Sequence, residues 1–372
     1  MFEERLVLAR NRMAVDGVDV LLLSAGADLP YFCGYEAMPL ERLTMLVVPR
    51  EGQATLVVPH LEAPRVVERP DVFDLATWRD GEDPIGLVID RLPGGWNGKL
   101  VAAIGDQTWG GFVVDLLNAR PGLSFTRASK VTAPIRMVKD EAEVKALRSA
   151  AAAVDRILSE VQAGEVPLVG RTEVEVAAQI GRRILDEGHS RINFVIVASG
   201  PNAASPHHEP SEREIRFGES VLFDIGGTMP GPGGVGYCSD ITRCVHLGEP
   251  QTEFADAYEV LRASQAAGVM AATIGTPCEE VDAVSRRVLE EAGYGRYFVH
   301  RLGHGIGVEA HEQPNLVAGN NLPLDLGHVF SVEPGIYVPD RWGMRLEDIV
   351  VATADGPDPL NRIEHGLAVV DA

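Results

Sequence analysis

Residues 218–243 read GESVLFDIGGTMPGPGGVGYCSDITR. Asp224 closes the apolar run Val221-Leu222-Phe223, and Asp240 closes a second segment, Val235–Asp240, beyond a Gly/Pro-rich loop. Two strands joined by such a loop would set these carboxylates side by side. The pattern returns later in the chain. Gly327–Gly335, GHVFSVEPG, laid on Gly218–Gly226, GESVLFDIG, puts Glu333 on Asp224, an offset of 109 residues (224 to 333). Glu347 then follows Glu333 by 14 residues, much as Asp240 follows Asp224 by 16. One device is used twice: glycine, apolar strand, carboxylate, loop, carboxylate.

Helices repeat in the same order. EVEVAAQIGRRILDEG (Glu173–Gly188) aligns with EEVDAVSRRVLEEAG (Glu279–Gly293) at an offset of 104, with Arg182-Arg183 on Arg286-Arg287 and Leu185 on Leu289. Helices rich in Ala, Glu and Arg look alike, so this match alone is weak. Together with the strand match it predicts two half-domains related by an approximate two-fold, with the carboxylates at their junction.

Upstream, Phe2–Asp16 has apolar residues at helical spacing and ends near Gly17. Val18–Leu23, Leu43–Val48, Ala54–Val58 and Leu100–Ile104 read as strands, the middle pair joined by the hairpin signal Pro49-Arg50-Glu51-Gly52. Gly111–Asn118 reads as helical and Leu123–Val131 as extended, which makes an α/β unit. His60 is the histidine of this part and is expected to be structural. Thr132-Ala133-Pro134 marks a boundary, and Asp140–Gln162, free of Gly and Pro, opens a second domain with a long helix. The expected domains are 1–133 and 134–372.

Composition narrows the function classes. A net charge of −21 over 372 residues argues against sequence-independent binding to nucleic acid or an anionic membrane. The cysteines, Cys33, Cys238, Cys244 and Cys278, form no CxxC pair, so neither a disulfide framework nor a zinc ribbon is expected. The charged start lacks the plan of a signal peptide, and no apolar run approaches the ~20 residues of a membrane span. A soluble cytoplasmic protein is expected.

Asp224, Asp240, Glu333 and Glu347, placed together and unpaired, would repel and hold some protons. Two divalent cations would neutralise them. An oxygen-rich shell with one imidazole suits manganese, iron(II) or cobalt, and zinc is compatible. The imidazole is sought in HRLGHGIGVEAHEQP (His300–Pro314), where His304 stands among Gly303, Gly305 and Gly307. HExxH is missing, which excludes the helical zinc-protease arrangement. In VIVASGPNAASPHH (Val195–His208), His207 and His208 would point to opposite sides if extended, so one of them would face the cluster. Gly231–Gly236 fits G-x-G-x-x-G, but a strand-like segment follows it, so it is read as a hairpin loop rather than a dinucleotide turn.

Four segments in order, DIGG…GYCSDITR, HRLGHGIGVEAHE, SVEPGIY and GMRLEDIV, resemble the pita-bread metallopeptidases, and within them the Xaa-Pro dipeptidase (prolidase) and Xaa-Pro aminopeptidase branch. The resemblance spans the chain. It implies an α/β (α+β) fold with a creatinase-type N-terminal domain and a pita-bread catalytic domain. It also implies five ligands to two metal ions, commonly manganese or cobalt: Asp224, Asp240, His304, Glu333 and Glu347, with Asp240 and Glu347 bridging. His207 and His311 match catalytic histidines. His300, Tyr337 and Arg345 fall in the expected substrate-binding group, Arg345 also matching an arginine that holds a ligand carboxylate. A homodimer acting on short proline-containing peptides is implied. A metal-bridging hydroxide would attack the bond before proline, with Glu333 relaying the proton. Rival readings are an aminopeptidase for longer peptides, a creatinase-like non-peptidase hydrolase, or a non-catalytic binding module that has lost its ligands. Two departures from the pattern stand out. Met229–Val235 lengthens the first hairpin, and Asn315 occupies the position after His311–Pro314 where many prolidases carry an arginine.

Overall fold

The computed structural model describes residues 1–95 and 97–371. The chain forms two compact units, Met1–Arg136 with Gly233–Val235, and Met137–Pro232 with Gly236–Ala372.

The first unit runs α1 (Phe2–Asp16), β1 (Val20–Leu23), α2 (Asp28–Cys33), β2 (Met45–Pro49), β3 (Ala54–Pro59), β4 (Phe73–Trp78), α3 (Pro84–Ile89), β5 (Leu100–Ile104), α4 (Gly110–Ala119) and β6 (Leu123–Arg127). Helix α1 buries Phe2, Leu6, Ala9 and Met13, one stripe at helical spacing, and stops at Gly17 in the left-handed conformation, φ 67°. Among the described residues the strands form one sheet in the order β4-β3-β2-β1-β5-β6. β2 and β3 pair antiparallel across Pro49–Gly52, whereas β1, β5 and β6 run parallel with helices between them. Strand β4 is an edge strand buried only at Phe73 and Trp78, too little alternation to mark it in the sequence. Strand β6 stops at Arg127, short of the extended Leu123–Val131 expected, because helix α5 (Ser129–Met137) begins there and runs through Thr132-Ala133-Pro134. His60 Nε2 lies 3.2 Å from the Arg79 guanidinium.

The second unit goes twice through one plan. Its first half has α6 (Glu141–Gln162), α7 (Glu173–Asp186), β7 (Arg191–Ser199), β8 (Ser220–Pro230), β9 (Gly236–Cys238) and β10 (Ile241–Leu247). Its second half has α8 (Thr252–Ala271), α9 (Cys278–Glu291), β11 (Gly303–Gly305), β12 (Glu312–Leu316), β13 (Val329–Val332), β14 (Gly335–Val338), β15 (Trp342–Arg345), β16 (Asp348–Thr353) and β17 (Gly356–Pro359), and β18 (Ala368–Val370) closes the chain. Helices α6 and α7 each start with a capping box, Asp140 with Glu143 and Thr172 with Glu175, a device worth about 1 kcal/mol. The sheets are ordered β18-β10-β8-β7 and β12-β11-β13-β16-β17 among the described residues. In each, an antiparallel pair (β8 with β10, β13 with β16) carries the acidic segments. Each half also packs its own apolar core, around Ile157, Val176, Ile180 and Phe223 in one and around Tyr258, Leu261, Val281 and Phe330 in the other.

The helical repeat holds in a register shifted by one. Glu173, Val176, Ile180 and Ile184 are buried on α7, and Cys278, Val281, Ser285 and Leu289 on α9, an offset of 105. At the offset of 104, exposed Leu185 would answer buried Leu289. Matching arginines misaligned the helices because arginines lie on solvent faces, where register is free. The glycine-rich loop joins strands: Thr228–Pro230 pairs with Gly236–Cys238, and no helix opens after it, so G-x-G-x-x-G here is a hairpin. No helix of the described residues is long and apolar enough to cross a membrane.

Strand β11 is tightly enclosed. A Cβ added at Gly303 would overlap the Ser331 carbonyl of β13, and one at Gly305 the Gln313 carbonyl. Overpacking of this kind costs about 1–3 kcal/mol. Gly303→Ala should therefore lower the Tm measured by scanning calorimetry, and an unchanged Tm would mean that these strands can part without cost.

Candidate active site

Asp224 lies within β8, opposite Ile196 of β7 and Thr242 of β10. Asp240 stands in the two-residue link, Ser239-Asp240, between β9 and β10. The residue facing Asp224 across the ladder is thus Thr242, and Asp240 approaches from the neighbouring link. In the second half Val332 pairs with Asp348, and Glu333 and Glu347 extend that register by one step, directly opposed. Thr242 bridges to Glu347, where the two halves of the unit meet. His304 occupies the centre of β11.

These groups share one neighbourhood. Asp240, His304 and Glu347 can each offer a ligand atom within 4.8 Å of the others. His304 Nε2 lies 3.2 Å from Glu333 Oε1 and 3.9 Å from Asp240 Oδ2. The Ser331 hydroxyl donates to Glu333 Oε1 at 3.0 Å and accepts from the His304 amide at 3.0 Å. Thr242 Oγ1 donates to Glu347 Oε2 at 2.7 Å. Arg345, buried, donates to Asp224 Oδ2 at 2.5 Å, to Thr242 Oγ1 at 3.1 Å, to Tyr337 Oη at 2.7 Å and to the Pro206 carbonyl at 3.3 Å. Thr242 and Ser331 were not singled out from the sequence, although both lie inside quoted segments, DITR and SVEPG.

Charge in the cluster is unevenly compensated. Burial first, then Glu347, Asp224 and Glu333, push the Asp240 carboxyl well above the usual carboxylate range. Burial followed by Glu333 and Asp224 does the same to Glu347. Asp224 is also raised, burial outweighing the Arg345 guanidinium. Burial pushes Glu333 up as well, but the His304 hydrogen bond and charge, then His300 and Arg345, bring it below the ordinary range. Two oxygens, Asp224 Oδ1 and Glu347 Oε1, are buried without a hydrogen-bond partner among the described residues. Orphaned acceptors of this kind cost about 1–3 kcal/mol each, and a cation would satisfy them. The donor set, four carboxylates and an imidazole, therefore fits divalent metal.

The cluster forms the floor of a cavity of about 760 Å³. Phe194 and Ile196 of β7, on one face of the strand, make an apolar wall, while the Val195 side chain packs against the core of the first half. His207, His300, Arg301, His304 and His311 also line the cavity. Both ring nitrogens of His300 are engaged. Nδ1 faces the Arg301 carbonyl at 2.7 Å and must carry the proton, so Nε2 accepts from Tyr337 Oη at 2.9 Å. Burial lowers the His300 pKa and raises that of Tyr337, which keeps the imidazole neutral and the phenol protonated. Tyr337 is not among the residues lining the cavity; it links His300 to Arg345. His207 and His208 both border the cavity; His207 is exposed and its ring unpartnered among the described residues, and the His208 ring is turned to Glu173, Nε2 at 2.8 Å from Oε2. The ring of His311 lies 4.0 Å from that of His304, and partial burial, then His304 and Arg301, hold its pKa below the histidine range. Asn315 is also absent from the lining, its carbonyl accepting from Asn320 at 2.7 Å.

A buried acidic cluster at the junction of two like half-domains, fitted to divalent metal and open to a peptide-sized cavity, defines a metal-dependent hydrolase. Residues 145–354 match metallopeptidase family M24, and residues 5–138 match the creatinase/prolidase N-terminal domain. The chain belongs to metallopeptidase family M24 and has its pita-bread fold. It is similar to a probable dipeptidase PepE of Mycobacterium bovis, 44% identical over 373 residues, covering 100% of this chain and 97% of that one. It is likewise similar to an Xaa-Pro dipeptidase of Lactobacillus delbrueckii subsp. lactis, 35% identical over 376 residues, with 97% of each covered. A prolidase structure from Thermococcus sibiricus superposes with a TM-score of 0.91 at 32% identity, covering 100% of this chain and 99% of that one. The non-peptidase and non-catalytic readings are thereby set aside.

The compensation pattern gives metal removal a pH dependence. Carboxyls with raised folded pKa values, such as Asp240 and Glu347, favour the metal-free fold while they are protonated and disfavour it as pH rises through those values. Bound cations remove that penalty. Chelation should lower Tm more at about pH 8 than at about pH 5.5, as followed by thermal-shift titration. Equal shifts at both would show that the cluster does not titrate as described.

Proposed function

We propose that the chain is a dinuclear metal-dependent peptidase that hydrolyses the Xaa-Pro bond of dipeptides or short peptides. The observation that carries the reading is the convergence, in one cavity, of an acidic cluster with orphaned oxygens and an apolar wall. That wall, Phe194 and Ile196, offers a surface for a proline ring or an apolar side chain. Relatives named Xaa-Pro dipeptidase and prolidase support the substrate class. Asp224, Asp240, His304, Glu333 and Glu347 would hold two cations. When bound, the ions supply a Lewis acid for the scissile carbonyl and an acidified water as nucleophile. Glu333 takes the proton of the attacking water and delivers it to the leaving proline nitrogen. His207 and His311, with no hydrogen-bond partner for their rings among the described residues, are free to donate to the developing oxyanion. His300 presents its ring, and Arg345 holds Asp224 in place. Manganese as the native metal, a homodimer and a cytoplasmic location belong to the same reading, by resemblance to the family.

Metal analysis after reconstitution should approach two equivalents per chain, and Glu347→Ala should lose at least one. Saturation at one in the parent would overturn the dinuclear assignment. His207→Ala should keep its metal while kcat for alanyl-proline falls by about 10²–10³, the usual cost of an oxyanion donor. Metal loss in that variant would make His207 a ligand instead.

Recognition of the substrate's terminal carboxylate falls to Arg301 in this reading. Arg345 is spent on Asp224, and Arg341 pairs with Glu253 at 2.8 and 2.7 Å. Among the described residues no group hydrogen-bonds the Arg301 side chain, which borders the cavity. A guanidinium suits a carboxylate through two parallel charge-assisted bonds. Arg301→Ala should raise KM for alanyl-proline at least tenfold, about 1.4 kcal/mol, and leave KM for its C-terminal amide nearly unchanged. The second reading, an aminopeptidase for longer peptides, draws on the neutral Asn315. It gains if the parent cleaves alanyl-prolyl-alanine as well as alanyl-proline.

A further inference from the structure

The carboxylate of Glu173, the first residue of α7, is wholly buried and lies outside the metal cluster. It gathers an unusual number of donors. Ser199 gives its amide at 2.8 Å and hydroxyl at 2.7 Å, and Ser211 gives its amide at 3.1 Å and hydroxyl at 2.7 Å. Asn202 Nδ2 reaches both oxygens at 3.1 Å, and His208 Nε2 reaches Oε2 at 2.8 Å. Burial alone would raise this carboxyl, but bonds from Ser211, His208 and Ser199 hold it down at about 2. In return the Glu173 amide donates to the Arg213 carbonyl at 3.1 Å and the Val174 amide to the Ser211 carbonyl at 3.1 Å. The segment from Ser199 to Arg213 is thereby fastened to the start of α7.

That segment carries His207. His207 has no side-chain partner of its own among the described residues, yet its neighbours are held on both sides. The Pro206 carbonyl accepts from Arg345, and His208 bonds Glu173. Ser205–His208 is a turn, the His208 amide donating to the Ser205 carbonyl at 3.2 Å, so anchoring His208 on Glu173 and Pro206 on Arg345 fixes the turn from which His207 borders the cavity. The fold does not require this device. At the matching position of the second half, α9 begins with Cys278, buried and a free thiol. A carboxylate stands only in the half that supplies His207.

We propose that Glu173 is a positioning residue that acts through His207, holding the Ser199–Ser211 segment so that this imidazole addresses the reacting carbonyl. The proposal rests on the reading of His207 given above. It also explains why a buried charge is kept at a helix start, where negative charge is favoured but seldom surrounded by so many donors.

The test is a double-mutant cycle on metal-loaded protein with alanyl-proline as substrate. Glu173→Gln should lower kcat on the order of tenfold to a hundredfold, the cost of an ångström-scale misplacement, with two metal equivalents and KM retained. Added to His207→Ala, it should change kcat by less than about twofold, because a residue acting only through His207 has nothing left to position. His208→Ala should behave as a milder Glu173→Gln, and His208→Gln, which keeps an N–H aimed at the carboxylate, should recover most of the loss. If Glu173→Gln does not fold, His208→Ala completes the same cycle. Additive losses, or loss of metal from Glu173→Gln, would overturn the proposal and leave the role of His207 standing. A silent His207→Ala would overturn both.

Discussion

Asp224, Asp240, Glu333 and Glu347 are held in one cavity with the Arg345 guanidinium and the His304 imidazole beside them. Two like charges 4 Å apart repel by about 4 kcal/mol at an effective dielectric of 20, so such a cluster cannot stand fully ionised without help. The protein supplies that help unequally. Arg345 serves Asp224, and His304 with Ser331 serves Glu333. Glu347 has the Thr242 hydroxyl, and its other oxygen has no partner. Asp240 and Glu347 are the pair driven furthest from the usual range. The uneven supply of hydrogen bonds leaves oxygens that a bound cation would satisfy.

Much of this was legible in the chain because strands carry their chemistry at fixed spacing. The recurrence of glycine, apolar run and acid located the carboxylates and the two-fold plan before any geometry. What the sequence left obscure has physical causes. Opposed residues depend on ladder register, which letters do not show: β10 pairs with β8 so that Thr242, not Asp240, faces Asp224. Helical register was misread by one because solvent-facing arginines are free to drift while buried positions are not. The start of α5 inside an apparently extended segment was hidden by Pro134, which reads as a break yet lies within the helix. Arg301, Arg341 and Arg345 are alike as letters. Only their partners separate a surface ion pair, a ligand clamp and a side chain left free at the cavity. The choice between His207 and His208 was likewise open, because the carboxylate that captures His208 lies 35 residues upstream, on another element.

Duplication explains the shared scaffold, and the differences between the halves explain the site. β7 and β11 hold equivalent places, each pairing with the strand that leads to an acid, β8 and β13. They are built to opposite ends. β7 spans nine residues and sets Phe194 and Ile196, two apart on one face of the strand, along the cavity, giving a peptide an apolar surface to lie against. β11 spans three, and the Ser331 and Gln313 backbones press so closely that Gly303 and Gly305 have no room for a side chain. The one side chain that β11 carries is the imidazole of His304, whose amide is pinned by the same Ser331 hydroxyl that donates to Glu333. A strand this confined fixes its single side chain far more sharply than a loop would, as a precisely built site requires. The cavity wall needs area rather than precision, and the longer strand supplies it. The halves thus differ where β7 offers an apolar face and β11 a confined imidazole, while each contributes two of the acids and part of the cavity lining.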